Sequence, residues 1–195
     1  MSKMRTACGK SVPFSGLSSL MYLLDSNVFI TAKNSYYPVD FCPAFWDWIR
    51  KGLQTGTLGS VVGVRNEILE GGDDLARWVA KIPKKHFLDV TPDMQNALQT
   101  IQARISGMNY YTPSAQAEFV GIADAELVAH ALAGGHTVVT LEISRKQITQ
   151  IKIPDVCRVL GVPCIDTFEA IRQSKDRFVL DPPFLPLPTQ GTLNF

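Results

Sequence analysis

The hydrophobic positions of this chain follow two patterns that alternate along its length. Short continuous apolar runs are typical of buried strands, and apolar residues spaced by three and four are typical of helices with one buried face. The runs predict strands at residues 23–25, 58–62, 87–90, 137–140 and 162–165. The helical spacings predict helices from residue 45 to a break over residues 52–59, around Glu67, and at 75–79, 92–105, 122–133, 154–160 and 167–173. This alternation predicts an α/β fold, a three-layer α/β/α sandwich around a mostly parallel central sheet.

The two ends of the chain differ from the part between them. Residues 1–20 are rich in serine, lysine and glycine, lack periodicity, and lack the continuous apolar stretch of a secretory signal. A run of prolines follows Asp181, and prolines exclude helix there. We therefore expect a loose N-terminal extension over residues 1–20, one domain over 21–175, and a proline-rich tail over 176–195.

Composition excludes some classes of protein. The formal net charge of +1 argues against a broad basic coat for nucleic acid, although it leaves room for a local basic patch. No window approaches the roughly 20 consecutive apolar residues that cross a membrane, so we expect no membrane association. The four cysteines have no zinc-binding spacing, and a domain of this size needs no disulfides. We expect a reduced, cytoplasmic protein.

Two carboxylates directly follow predicted strands. Asp25 follows Leu23 and Leu24, and Glu142 comes just after the run from Val138 to Thr140. Parallel strands present their functional groups at their carboxyl ends, so both acids are expected at one edge of the sheet. The alternatives are a helix N-cap for Asp25 and an ordinary loop acid for Glu142. Thr140 could donate a hydrogen bond to a neighbouring carboxylate or to water.

Two further carboxylates lie in predicted helices. Asp124 shares a helix face with Leu127, Val128 and Ala131, and that face should point inward. An inward carboxylate is costly unless it is paired or bound to a metal. Glu67 follows the second predicted strand, where a plain surface helix is a serious alternative. Acids gathered at one sheet edge repel each other, and a divalent metal would offset that cost. The sequence therefore predicts a metal-dependent enzyme that acts on phosphate chemistry.

Basic and aromatic residues near these acids are candidates for contacting nucleic acid. Tyr110 and Tyr111 could stack on an unpaired base, or pack on the domain instead. Ordinary surface charge is the alternative for each basic candidate. No glycine-rich phosphate loop and no nucleophile elbow is present in the sequence. The basic candidates are Lys33, Arg65, Arg145 and Lys146.

With these residues in place, the chain resembles the PIN-domain ribonucleases over residues 22–173. Residues 23–28 look like the opening strand and first acid of that family, and residues 61–69 fit its second acid. Residues 123–132 look like its central acid helix, and residues 138–142 look like the strand that delivers its last acid. The stretch from Tyr36 to Trp46 resembles a less studied bacterial and archaeal PIN-like branch that often lies near antitoxin-type genes.

The resemblance implies an endoribonuclease that hydrolyses RNA phosphodiester bonds with Mg²⁺ or Mn²⁺. It also implies a toxin of a toxin–antitoxin pair, with a protein antitoxin and a homodimer as expected partners. One residue departs from the family, because the last acid is usually Asp and is here Glu142. Its longer side chain would reach a metal through water, or not at all. The implied catalytic acids are Asp25, Glu67, Asp124 and Glu142, of which Asp25, Asp124 and Glu142 are the expected metal ligands, with Asn27 and Thr140 beside them.

Two other functions fit the same residues. A catalytically inert PIN-like module would bind RNA or a protein partner, with Glu142 marking a degraded site. A Rossmann-like phosphohydrolase would use Asp25 as a nucleophile, with a second Asp two residues later. That position is Asn27, which weakens this alternative.

Overall fold

The computed structural model describes residues 20–145 and 147–179 and contains one parallel sheet. Its four strands lie in the order β2-β1-β3-β4, and every pair is parallel. The α/β class and the parallel sheet predicted from the sequence are confirmed. The strands are β1 (Tyr22–Leu24), β2 (Leu58–Gly59), β3 (Thr137–Val139) and β4 (Cys164–Ile165).

Helices fill the connections between the strands. The connection from β1 runs to β2 at one edge, and the next connection crosses back over β1 to β3. Because such crossovers are right-handed, the two connections lie on opposite faces of the sheet, which gives three layers. The helices are α1 (Ser26–Thr31), α2 (Pro43–Thr55), α3 (Val62–Glu70), α4 (Asp74–Ala80), α5 (Pro92–Ser106), α6 (Pro113–Val120), α7 (Ala123–Gly134), α8 (Ile153–Leu160) and α9 (Thr167–Ser174), with a π-helical turn at Ala32–Tyr36 and a 3₁₀ turn at Lys84–His86.

Local sequence signals set several helix starts. Thr91 caps α5 by accepting a hydrogen bond from the Met94 backbone N–H, and Pro92 occupies the first turn. Asp73 caps α4 in the same way through the Ala76 N–H. The predicted start of α5 at residue 92 is therefore confirmed.

The core lies where α7 packs against the central strands. Leu23 and Leu24 in β1 and Val138 and Val139 in β3 are fully buried. The apolar face of α7, including Leu127, contacts β1 and β3. The inward orientation predicted for this face of α7 is confirmed. Because α7 leads into β3, its start lies near the carboxyl ends of the strands.

The break predicted over residues 52–59 begins too early, because α2 continues through Gly52 to Thr55 and ends at Gly56. A side chain at position 52 would clash with the Leu58 side chain of β2. The absence of a Cβ at this position lets the helix lie directly against the strand. The glycine therefore serves close packing, which the sequence pattern alone cannot distinguish from a helix end.

The strand predicted at residues 87–90 is also wrong, since only Leu88 forms a parallel bridge, to Val61. The backbone N–H of Leu88 donates to the Ser60 carbonyl, and the Leu88 carbonyl accepts from the Val62 N–H. The exposed Val90 lies beyond that bridge. Two helices were not predicted: α1 is short, and α6 buries only Ala115 and Phe119, so it has little apolar periodicity.

The ends of the chain lie mostly outside the described residues. The predicted loose extension is described only at Leu20, and the predicted tail only at residues 176–179. In that short part, the Phe178 ring packs edge-on against Tyr37 and Phe45. Within the described ranges, no helix is both long enough and apolar enough to cross a membrane.

Candidate active site

The carboxyl ends of β1 and β3 meet at one edge of the sheet. Leu24 pairs with Val139, so the residues that follow each strand are neighbours. The backbone N–H of Asp25 donates to the Val139 carbonyl at 3.0 Å, and the N–H of Thr140 donates to the Ile165 carbonyl at 3.1 Å. After β1 the chain runs to β2 on one side of the sheet, whereas after β3 it runs to β4 on the opposite side. Functional sites of open parallel sheets lie at such switch points.

Asp25 is a buried carboxylate at the N-cap position of α1. The residue is only 2% exposed, and its side chain makes no capping hydrogen bond there. Burial raises the pKa of Asp25 to about 6, with Glu142 adding repulsion and a hydrogen bond from Thr140 opposing the rise. The position fits the N-cap alternative, but the carboxylate is directed to Thr140 rather than to the backbone of α1 and is a desolvated acid.

Thr140 joins the two strand ends through one hydroxyl. Its Oγ1 donates to Asp25 Oδ2 at 2.8 Å and accepts from Asn27 Nδ2 and from the Glu142 N–H, both at 3.0 Å. Asn27 Oδ1 in turn accepts from the Leu141 N–H at 2.9 Å. Asn27 and Thr140 thus lie beside Asp25, as the sequence predicts. With all its bonding capacity used, the hydroxyl fixes the orientation of the carboxylate.

Asp124 lies in the first turn of α7 and is half-buried. Burial raises its pKa to about 7, and repulsion from Asp25 and Glu142 adds to the rise. Asp25 and Asp124 are therefore close enough for their charges to interact, and they share one site. Ionising both at neutral pH costs the folded protein free energy, which a bound cation would recover.

Glu67 reaches the same site from α3, although it is exposed. The Ser26 hydroxyl lies 3.2 Å from Glu67 Oε1 and 3.4 Å from Asp25 Oδ1, so one hydroxyl faces both carboxylates. One helical turn before Glu67, Gly63 lies against the start of α7. A Cβ at position 63 would lie 2.5 Å from Glu126 Oε2 and 3.0 Å from Ala123 Cβ. This close contact brings α3 against the first turn of α7, which carries Asp124.

Glu142 has both carboxylate oxygens engaged. Oε1 accepts from Lys152 Nζ at 2.6 Å, and Oε2 accepts from the Ile153 N–H at 2.9 Å. The Lys152 and Glu142 side chains are 19% and 17% exposed. The charge of Lys152 also lowers the pKa of Asp124. Lys152 could not be predicted from the sequence, because its contact with Glu142 forms only when the loop before α8 folds back onto the segment after β3.

The predicted basic residues do not contact the acids within the part of the chain that the structure describes. Lys33 forms an ion pair with Asp73, and the Arg65 guanidinium lies 5.8 Å above the Phe87 ring centre. Arg145 is exposed and lines a cleft away from the four acids. Lys146 lies outside the described residues. Their role in binding RNA stays a prediction.

The donor set of the site is oxygen only. In the described parts of the chain, no three His, Cys, Asp or Glu side chains lie close enough to hold a metal ion together. Asp25 and Asp124 are the acids that could contribute ligands directly, because Glu142 already binds Lys152. Hard oxygen ligands of this kind suit Mg²⁺ and Mn²⁺.

Comparisons with known proteins identify the family of this chain. A family described as "Domain of unknown function (DUF4411)" matches residues 22–178. No curated protein matches the sequence. Among solved structures, VapBC2 from Rickettsia felis, solved bound to a DNA fragment from its promoter, is similar at 12% identity with a TM-score of 0.48. The similarity covers 75% of this chain and 98% of that chain.

Proposed function

Because this chain belongs to the DUF4411 family, a domain family of unknown function, we propose its activity from the acid site: metal-dependent hydrolysis of RNA phosphodiester bonds. The observation that supports it most is the pair of desolvated acids, Asp25 and Asp124, at the switch point of the sheet. Burial raises their pKa values to about 6 and about 7, so ionising both carboxylates is unfavourable without a cation. Perturbed acids of this kind cluster at functional sites.

The residues present fit one divalent cation. Mg²⁺ usually binds through one or two carboxylates and keeps several waters or substrate phosphate oxygens. Asp25 and Asp124 supply that number of carboxylates, so a three-residue cluster is not required. A bound ion would supply a polarised water and positive charge at the scissile phosphate.

The chain's own groups have separate roles in this proposal. Thr140 and Asn27 hold Asp25 in one orientation, so no reorganisation is needed when a ligand arrives. Lys152 neutralises Glu142 and limits the total negative charge that an incoming phosphate meets. Glu67 adds negative charge at the exposed rim and acts on Asp25 through Ser26.

The choice of RNA as substrate is supported by the sequence resemblance to PIN-domain ribonucleases. Four acids occur in the order and spacing typical of that family, each in a short apolar context. The same resemblance supports a cytoplasmic toxin with a protein antitoxin and a homodimeric state. These belong to the proposal, and co-purification with the product of a neighbouring gene would test the partner.

The experiment is RNA cleavage by the purified full-length protein with Mg²⁺ or Mn²⁺. EDTA and the Asp25→Asn variant should both abolish cleavage, whereas Asp93→Asn should not. Asp93 is a suitable control because it is an exposed acid in the first turn of α5. Thermal unfolding with and without metal gives a second readout, since a ligand at 100 times its Kd stabilises a protein by about 2.7 kcal/mol. Cleavage that persists in Asp25→Asn would reject the assigned site.

A second candidate function is an inert module that binds RNA or protein. The engagement of both Glu142 oxygens by Lys152 and Ile153 favours it, since that acid is not free to ligate. RNA binding without cleavage, unchanged in Asp25→Asn, would support this candidate. The phosphohydrolase alternative is tested with small phosphate esters. Asn27, in the position of its second acid, is committed to Thr140 and Leu141.

A further inference from the structure

A cleft of about 790 Å³ adjoins the acid site. Thr140 and Glu142 line it, together with Tyr36 and Phe168. Glu142 also lines a small cavity that contains Asp124 and Lys152. Thr140 and Glu142 are therefore common to the acid site and to the cleft. A ligand whose charged group lies at the acids can extend directly into the cleft.

Two exposed aromatic rings form part of the cleft wall. Tyr36 and Phe168 are 50% and 36% exposed, and their rings meet edge to face with centres 5.4 Å apart. Tyr36 also contacts Tyr37, which stacks on the buried ring of Phe45 at 4.3 Å. The core thus fixes the position of this exposed pair. Aromatic rings held at a surface are platforms on which unpaired bases stack.

The same cleft carries a guanidinium that an ion pair holds in place. Arg158 lines it, and its guanidinium binds the buried carboxylate of Asp155 at 2.6 Å while the arginine side chain stays 68% exposed. Asp155 is also bound by the Ser144 hydroxyl at 2.5 Å, so the anchor is rigid. Arg158 further lines a second cleft of about 410 Å³ that contains Tyr110 and Arg145. Aromatic rings and arginines therefore occur together along one continuous surface.

We propose that the cleft is a subsite for one unpaired nucleobase of the RNA strand, next to the phosphate that is cleaved. The base would stack on Tyr36 and Phe168, and Arg158 would bind a flanking phosphate. A volume of about 790 Å³ lies within the usual range for a site that binds a small molecule or one nucleotide. The inference rests on the proposed function. A nucleotide is favoured over a protein segment because Glu142 links the cleft to the acids where the phosphate binds.

The test measures binding and base stacking apart from cleavage. The parent protein is the full-length chain with Asp124→Asn, in EDTA, and the probe is a single-stranded oligoribonucleotide containing 2-aminopurine. Tyr36→Ala and Phe168→Ala should each raise Kd about tenfold and reduce the quenching of 2-aminopurine fluorescence, as expected for loss of one stacking partner. Phe168→Tyr keeps an aromatic ring and should retain the Kd and the quenching of the parent. Phe41→Ala is the matched control, because Phe41 is 74% exposed and does not line the cleft.

In the otherwise wild-type chain with metal, the two alanine variants should raise KM for single-stranded RNA and change kcat little. Equal Kd and quenching in the parent, the alanine variants and Phe41→Ala, together with a KM equal to that of the wild type, would overturn the subsite while leaving the nuclease intact. Loss of binding to a protein partner with unchanged RNA binding would also overturn it, in favour of a protein-docking cleft. The wild type could cleave no RNA while the parent quenches the probe and both alanine variants lose that quenching. In that case the proposed hydrolysis fails, and the base-binding site stands without it.

Discussion

Lys152 and Glu142 form a partly buried ion pair, with Nζ and Oε1 2.6 Å apart, inside a site whose other charges are negative. Among the residues that the structure describes, this ammonium is the cation that contacts the acids. It neutralises one acid and lowers the pKa of Asp124. The site therefore presents less negative charge than its four carboxylates would indicate.

Replacing Lys152 with methionine should destabilise the protein, because Glu142 would keep its charge in a partly buried position without a counter-ion. We expect a loss of about 1–3 kcal/mol in the free energy of unfolding at pH 8. Urea unfolding at pH 8 measures this, and exposed Lys51→Met is the control. Equal small effects of the two variants would contradict a structural role for the pair.

Replacing Thr140 with valine removes a hydroxyl that makes three hydrogen bonds and keeps nearly the same shape. We expect a loss of about 1–3 kcal/mol in the free energy of unfolding, because buried donors are left without an acceptor. The pKa of Asp25 should rise further above about 6, since the Thr140 hydrogen bond lowers it. The acid limb of the pH–rate profile should therefore move to higher pH.

Thr140→Ser keeps the hydroxyl and serves as the matched variant. It should retain the pH profile of the wild type, with only a small packing loss. A profile that moves equally in both variants would show that the methyl group, rather than the hydroxyl, controls the site.

The raised pKa values of Asp25 and Asp124 predict how stability depends on pH without metal. Both acids have an ordinary pKa of 3.8, and the folded state raises them to about 6 and about 7. As pH rises from about 4 to about 7, the unfolded chain loses these protons first, so the free energy of unfolding falls. For Asp25 the fall corresponds to about 3 kcal/mol.

Asp124→Asn should remove its share of that fall. Because Asp124 is only half-buried and partly screened by solvent, we expect the variant to gain about 2 kcal/mol over the wild type at pH 8 and nothing at pH 4. Urea unfolding in EDTA at both pH values measures the difference. Asp93→Asn should show the pH dependence of the wild type; the same dependence in Asp124→Asn would refute the shared acid site.

Glu67 should matter for activity more than for stability. It is exposed, so Glu67→Gln should change the free energy of unfolding little while keeping an oxygen that accepts from Ser26. We expect at least about a tenfold fall in kcat/KM, equal to about 1.4 kcal/mol of transition-state stabilisation. Glu70→Gln, an exposed acid at the end of the same helix, should leave kcat/KM unchanged. Equal activities in the two variants would remove Glu67 from the site.

The sequence predicted the parts of the site that depend on strand ends and helix periodicity. Asp25 and Thr140 follow buried apolar runs, and parallel pairing alone brings them together. Asp124 could be placed because the apolar face of α7 has a clear period. Lys152 could not be predicted, since its contact with Glu142 depends on the path of the chain between β3 and α8. The same limit explains Gly52, whose role depends on the Leu58 side chain against it.

Gly63 has a consequence for which ions this protein would prefer. Glu67 and Asp124 belong to different helices, and the distance between those helices depends on the hydrogen atom that position 63 carries in place of a methyl group. Mg²⁺ requires short, nearly ideal coordination, whereas larger ions such as Ca²⁺ accept longer and more varied distances. In the proposed site, a single added carbon at position 63 would therefore displace Asp124 relative to Asp25 and favour larger ions, although neither ligand had changed.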